Sequence, residues 1–412
     1  MKVLQVNSYY KEGSTGKILD DIHAVLLKDG YESVICYTKG HDYSDLPHIY
    51  KISKHLEKQI HRYANRILGV YMYGGLYSQT RELLRIINKE KPDVVHLHCV
   101  NGNSFNIYKI LSYLASNNIR TVVTNHAEFF YTGNCGYSFA CEKWKNNPGC
   151  GHCPNLLIST GSHFFDWTKS AWKTMKCSFD KFDSDRIKIA SVSPWVKKRA
   201  LKSPIQSRFD HHVVLNGVDT DIFHLYNKEN IYSSIKSDSS RPTVFHATAS
   251  FDPSDNKSIK GAKFLVEIAQ KMPEVDFVVA AIDYKITEKL PDNILFWGPA
   301  KTQIELAKLY SEADCTLLVS MKETFSMPTA ETLCCGTPIV GFNAGGPESF
   351  APKQYADFVE YGNVDLLCQF LKIRLATGHD KEKISQYATQ NFSKENMANS
   401  YINIYKSLCS KT

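Results

Sequence analysis

Short runs of β-branched and other apolar residues alternate with helix-period stretches along the whole of this 412-residue chain, and no other feature restricts its fold so much. In the first half the apolar runs fall at 2–6, 33–37, 94–98, 121–125, 187–192 and 213–215, with helix-period stretches such as 17–27, 78–89 and 107–116 between them. The runs are continuous, as strands buried on both faces are. Strand–helix alternation of this kind implies a doubly wound parallel sheet. The second half repeats it, with strands expected at 243–246, 277–281, 294–297, 316–319 and 339–341 and helices at 261–270, 303–311 and 328–335. Two Rossmann-like α/β domains are therefore expected, at 1–210 and 211–392, which suits the length. A serine-rich stretch at 226–242 reads as a loop near the junction. A last helix, within 393–412, is expected to pack back on the first domain.

Hydrophobic residues make up 43% and charged residues 22% of the chain, which excludes disorder. The formal net charge of +7 suits anionic ligands such as nucleotide diphosphates, or an anionic membrane surface. No zinc-finger pattern, RNP motif or continuous basic arm is present, so nucleic acid is not expected as a partner. The opening MKVLQVNSYY reads as a strand and not as a signal peptide. No apolar run is long enough to span a bilayer. A cytoplasmic protein is expected, whose 12 cysteines are reduced thiols or metal ligands. Within 51–70, Leu56, Ile60, Tyr63, Ile67 and Val70 recur at helical spacing beside Lys54, Lys58, Arg62 and Arg66. This amphipathic basic helix suits packing on the domain surface, or peripheral contact with anionic lipid at the inner face of the plasma membrane.

Three segments carry chemistry. The first is Glu12-Gly13-Ser14-Thr15-Gly16-Lys17, between the first strand and the first helix. Small residues there let the backbone approach a phosphate, and a helix N-terminus supplies free N–H donors. It is neither a P-loop nor GxGxxG. The second is Asp255-Asn256-Lys257-Ser258-Ile259-Lys260-Gly261, whose two lysines could reach a diphosphate and stabilise its growing charge as it leaves. The third runs from Ser320 to Pro338. Glu323 ends a strand, Glu331 follows inside the next helix, and Gly336-Thr337-Pro338 stops that helix before the next strand. Ligands of parallel sheets bind at the carboxyl ends of strands, so both carboxylates are expected at the cleft between the domains. A carboxylate accepts the paired hydroxyls of a ribose or hexose.

With these residues the chain resembles family 4 of the retaining glycosyltransferases. Their marks are Glu-x7-Glu, Gly-x-Pro and a Gly-Gly-x-Glu loop, here Glu323, Glu331, Gly336, Pro338 and Gly345-Gly346-Pro347-Glu348. Asp93-Val94-Val95-His96-Leu97-His98, Asn216-Gly217-Val218-Asp219 and the Lys257/Lys260-Gly261 loop match as well. The resemblance implies the GT-B fold, two Rossmann-like domains facing a deep interdomain cleft. It also implies transfer of a sugar from a nucleotide diphosphate sugar to a hydroxyl of a glycan or lipid-linked glycan, with no metal in catalysis. Glu323 would touch the donor sugar beside the reacting carbon, and Glu331 would bind the ribose. The amides of Thr324, Phe325 and Ser326 would lie over the sugar and diphosphate. Lys257 and Lys260 would hold the diphosphate, with Gly13 and Gly16 in the phosphate loop of the first domain. His126 matches the cleft histidine that contacts sugar or acceptor. The family's usual Arg is Lys257 here, a point charge in place of a bidentate fork, and Ala127 stands where Asp often follows the histidine. Asp219-Thr220-Asp221 looks like a metal-binding DxD but follows Asn-Gly, so it reads as a turn.

Cys135, Cys141, Cys150 and Cys153 form C-x5-C-x8-C-x2-C within an insertion at 132–154. Four thiols so close together could close a structural zinc site, remain packing thiols, or form disulfides. Similar segments occur in bacterial members of the family that build capsule, exopolysaccharide or O-antigen. Two other functions share this fold pattern, a nucleotide-sugar epimerase or phosphorylase and a non-catalytic sugar-binding protein. The first lacks its additional acid/base groups or Schiff-base lysine here, and the intact acidic and basic residues argue against the second.

Overall fold

The computed structural model describes all residues except 54–58, 61–62, 65–76, 102–103, 139, 256–257 and 411–412. Lys257 and most of the basic stretch 51–70 therefore lie outside the described residues. The chain divides into two compact units, Met1–Leu215 with Met397–Thr412, and Asn216–Asn396.

The first unit holds a seven-stranded sheet in the order β3-β2-β1-β4-β5-β6-β7. Its strands are β1 (Lys2–Val6), β2 (Glu32–Tyr37), β3 (Ile49–Lys51), β4 (Val94–Leu97), β5 (Thr121–Asn125), β6 (Ile187–Ser191) and β7 (Asp210–Val213). Every pairing is parallel. The central strands β4, β5 and β6 are buried at every position, which is why they read as unbroken apolar runs. The strand expected at 213–215 lies at Asp210–Val213, so the first sheet extends past 210 and the units divide after Leu215. This strand is an edge, paired by its backbone and half exposed, and hydrophobicity does not mark it.

The second unit holds a six-stranded parallel sheet in the order β10-β9-β8-β11-β12-β13. Its strands are β8 (Thr243–Phe251), β9 (Asp276–Tyr284), β10 (Ile294–Phe296), β11 (Cys315–Leu318), β12 (Ile339–Phe342) and β13 (Ala356–Val359). Strands β8 and β9 run several residues past the ends that apolar content suggests, with Ser250 opposite Asp283 and Phe251 opposite Tyr284. Backbone pairing continues there although Ile282, Asp283 and Tyr284 of β9 are exposed.

Each unit has its own core. Val244, Leu265, Ile268, Phe277, Leu317, Val340 and Leu367 belong to that of the second. In the first, Val3, Ile18, Ile22, Val94 and Val122 pack with Met397, Tyr401, Ile402, Tyr405 and Leu408. The helix Lys394–Cys409 thus fills the first unit's core from the far end of the sequence. Among the described residues no helix is long and apolar enough to cross a membrane.

Candidate functional site

In the second unit, two loops meet beyond the end of β11. Gly261 takes φ +72° and leaves no room for a Cβ against the carbonyl oxygen of Val319. Met321 N donates to Ile259 O at 2.8 Å. These contacts set Lys260 beside Glu323, with Nζ 2.8 Å from Oε1. Glu323 is fixed in turn by its backbone: its N–H donates to Ala344 O at 2.9 Å and its carbonyl accepts from Gly346 at 2.8 Å. Glu348 ties off this turn, accepting from the amides of Ala344 and Gly345.

Thr324, Phe325 and Ser326 follow, all buried, with Phe325 stacked on Phe350 at 4.5 Å. Ser326 stands at φ +81°, an uncommon conformation for a residue with a side chain, and opens the helix Met327–Cys334. Neither Phe325 N nor Ser326 N donates to a described residue. Amides at a helix start, with an ammonium beside them, make a site for an anion. Glu331 lies on the same helix and is partly exposed. The Tyr310 phenol is held well above its ordinary pKa, first by burial and then by the nearby Glu331 carboxylate. The structure thus gathers Lys260, Glu323, Thr324, Phe325, Ser326 and Glu331 on two adjoining loops and one helix.

His246 on β8 is a neighbour that sequence reasoning missed. Its Nδ1 donates to Leu317 O at 2.9 Å, and burial, with the Lys260 charge as a smaller cause, lowers its pKa to about 4. It lies in an apolar run and no motif marks it. Asp219 and Asp221 both face Lys394, at 2.8 and 3.8 Å, and the Asp221 amide donates to Asp219 in a turn.

In the first unit, Gly13 (φ +63°) opens the helix Gly13–Lys28, and no acidic side chain stands in its first turn. A Cβ on Gly16 would press on the backbone of Tyr9, Tyr10 and Lys11, so the loop passes close over the helix start. Asn7, wholly buried, accepts from Cys99 N and donates to Tyr9 O. It is a second residue that sequence reasoning overlooked.

His126 follows β5. It is buried, and burial lowers its pKa to about 4. His98 at the end of β4 meets it, with Nδ1 to Nε2 at 3.0 Å. His96 is satisfied by Tyr405 and Thr124, both at 2.7 Å, and so is a core histidine. Two positions past His126, the wholly buried Glu128 pairs with Arg199 and accepts from Ser138 N, which anchors the cysteine segment to the unit.

The four cysteines of that segment line one small cavity together with Gly133, Trp144 and Thr168. All four are free thiols, so the disulfide reading does not describe this structure. Burial pushes the Cys135 and Cys150 thiols up to about 12. Cys135 Sγ donates to Tyr137 O at 3.0 Å, and Cys150 Sγ accepts from Gly133 N at 3.3 Å. Thiolate donors suit zinc, but among the described residues no three His, Cys, Asp or Glu side chains are placed to hold one metal ion.

Residues 16–222 match the model of Glycosyltransferase Family 4, and residues 250–371 match that of Glycosyl transferases group 1. A D-inositol 3-phosphate glycosyltransferase of Mycobacterium sp. (strain KMS) is 26% identical over 176 residues, which are 40% of this chain and 38% of that protein. An N-acetyl-alpha-D-glucosaminyl L-malate synthase of Bacillus anthracis is 29% identical over 121 residues, 28% of this chain and 31% of its own. The chain thus spans about a third of the length of these curated relatives. Among solved structures, sucrose-phosphate synthase from Thermosynechococcus elongatus superposes with a TM-score of 0.67 at 14% identity, over 100% of both chains. HepE of Anabaena in complex with UDP-glucose gives 0.64 at 14% identity, over 99% of this chain and 100% of its own. At such identities the likeness is one of fold, which is GT-B.

Proposed function

We propose, from the premise that the chain belongs to glycosyltransferase family 4, that it moves a sugar from a nucleotide diphosphate sugar to a hydroxyl of a glycan acceptor, with retention at the reacting carbon. The observation that carries this reading is the second unit's Lys260–Glu323 pair beside the amides of Phe325 and Ser326, with Glu331 on the helix they open. Lys260 and the amides receive the diphosphate, and Glu331 accepts the ribose hydroxyls. Glu323 lies against the donor sugar beside the carbon that reacts. His126 and the Gly13–Gly16 loop serve the first unit's share of the work, with His126 against sugar or acceptor.

Transfer proceeds on one face of the sugar. The bond from the anomeric carbon to the diphosphate oxygen breaks, that oxygen takes the acceptor hydroxyl's proton, and the acceptor oxygen bonds the same face of the carbon. No protein nucleophile is needed, and the side chains supply position and charge stabilisation. The net charge of +7 and the basic stretch 51–70 support peripheral contact with an anionic membrane that carries a lipid-linked acceptor. Bacterial capsule, exopolysaccharide or O-antigen synthesis is the setting.

A thermal-shift screen against UDP, GDP, ADP, TDP and their sugars tests the donor site. One nucleotide family should stabilise the protein, by about 2.7 kcal/mol at a hundredfold excess over Kd. Glu331→Ala should abolish that shift. An unchanged shift in the variant removes the ribose assignment, and no shift with any nucleotide removes the donor site.

A further inference from the structure

Residues 157–167 of the first unit invert the usual order of a protein surface. Leu157, Ile158, Phe164, Phe165 and Trp167 stand between 39% and 73% exposed, whereas Thr160, Ser162 and Thr168, among and beside them, are buried. Large apolar side chains scattered singly over a surface are ordinary. These five fall closer together in sequence than any others among the described residues.

The polar groups of the segment are spent within it. Thr160 Oγ1 donates to Leu156 O at 2.6 Å, and Ser162 Oγ to Phe165 O at 2.7 Å. The Asp166 carboxylate accepts from the amides of Cys153 and Thr168 and from the Thr168 hydroxyl. The amides of Ser159 and Gly161 donate to Asn155 O and Leu157 O. Hydroxyls and amides satisfied from within, with phenyl and aliphatic groups turned out, suit a segment that meets an apolar medium.

Charge says which medium. From Lys143 to Phe179 the chain carries Lys143, Lys145, Lys169, Lys173 and Lys176 against one acid, Asp166. Lys145 and Lys176 pair with Glu142 and Asp180. Lys169 and Lys173, one turn apart on the helix Thr168–Asp180, are exposed. Apolar side chains followed by ammonium groups complement a bilayer with anionic headgroups. Trp167, stacked on Phe165 with centroids 6.2 Å apart, is of the type that settles at headgroup level. A second copy of the chain would cover the apolar groups but set lysines against lysines, on a protein whose net charge is already +7.

We propose that residues 157–167 are an anchor that enters the surface of an anionic phospholipid bilayer. Leu157, Ile158, Phe164 and Phe165 lie among the upper acyl chains, Trp167 lies at headgroup level, and Lys169 and Lys173 face the phosphates. This anchor is separate from the basic stretch 51–70. Presentation of a lipid-linked acceptor by that bilayer rests on the function proposed above, and the anchoring itself does not.

The test is co-sedimentation of the full-length protein with vesicles of phosphatidylcholine containing about 30% phosphatidylglycerol. The wild type should sediment. Phe164→Ser with Phe165→Ser should lower the partition coefficient about tenfold or more, the factor expected when two aromatic side chains no longer leave water. The unfolding midpoint of that variant should stay at the wild-type value, since neither ring is buried. Lys169→Gln with Lys173→Gln should weaken binding to these vesicles and reduce its salt dependence, and leave binding to pure phosphatidylcholine unchanged. Insertion is read separately in Phe164→Trp, whose added fluorescence should be quenched by lipids brominated on the acyl chains. A wild type that stays in the supernatant overturns the proposal, as does equal sedimentation of the Phe164→Ser, Phe165→Ser variant or an unquenched Phe164→Trp. A wild-type dimer that this double variant dissociates, seen by sedimentation equilibrium without vesicles, also overturns it and assigns the segment to a second copy. A lost nucleotide-dependent thermal shift with vesicle binding intact would bear on the transferase reading alone and leave the anchor standing.

Discussion

His126 and His246 are buried imidazoles whose pKa burial has lowered to about 4, one in each unit. An unfolded histidine titrates near 6.5, so between about 6.5 and 4 the unfolded chain binds protons that the folded one does not. Stability is therefore full above the upper value and falls as the pH drops through that window, at about 1.4 kcal/mol per pH unit for each such group. The midpoint of denaturant unfolding, measured from pH 7 to pH 4, should trace this loss. His246→Phe should flatten the slope by one proton, and an unaltered slope would show that His246 charges in the folded protein. At this scale the sequence was informative about residue types and less so about partners. Glu323 and Glu331 were identifiable because strand, loop and helix follow one another in the chain. The contact of His98 with His126 joins neighbouring strands β4 and β5 through their ends, and neither residue's local sequence announces the other. His246 was missed for a different reason, since a histidine inside an apolar strand reads as core.

The elements that carry the proposed donor site depend on backbone approaches that only glycine permits. A Cβ on Gly346 would overlap the carbonyl oxygen of Thr324 and crowd the Phe325 amide. Gly346→Ala should therefore displace the 324–326 loop, at a cost of roughly 1–3 kcal/mol in stability. Nucleotide affinity should fall further than that in proportion, because the displaced amides are the ones assigned to the diphosphate. Isothermal titration and denaturant unfolding of the same variant separate the two effects, and full affinity would show that the loop amides do not hold the anion. Elements were legible where burial is complete on both faces, as in β4, β5 and β6. They were not legible in β3, a three-residue edge, and were misplaced by a few residues in β7, where backbone pairing and not apolar content makes the strand. The extensions of β8 and β9 went unread on the same ground. The cysteine spacing gave the right cluster, since all four thiols line one cavity, but spacing does not fix side-chain rotamers.

For the molecule as a whole, the helix Lys394–Cys409 binds the end of the chain into the unit that begins it. Seven of its side chains are buried: Met397, Ala398, Tyr401, Ile402, Ile404, Tyr405 and Leu408. Each large apolar side chain so buried is worth about 1.5–3 kcal/mol, and together they approach the 5–15 kcal/mol of a typical domain's net stability. A chain ending at Asn396 should thus lose the folded first unit. Limited proteolysis should digest its 1–215 portion and spare 216–396, whose core contains none of these residues. Equal resistance of both portions would show that the first core closes without the helix. The sequence by itself determined the class of fold, the two parallel sheets and the placing of Glu323 and Glu331 on one strand–loop–helix segment. Those depend on periodicity and on residues near one another in the chain, and local order is what a sequence displays. The tertiary structure decided the rest. It returned the last helix to the first core and brought Lys260 to Glu323 and His98 to His126. It also lined one small cavity with the four thiols. Each of these is a contact between segments distant in sequence, settled by how whole elements pack.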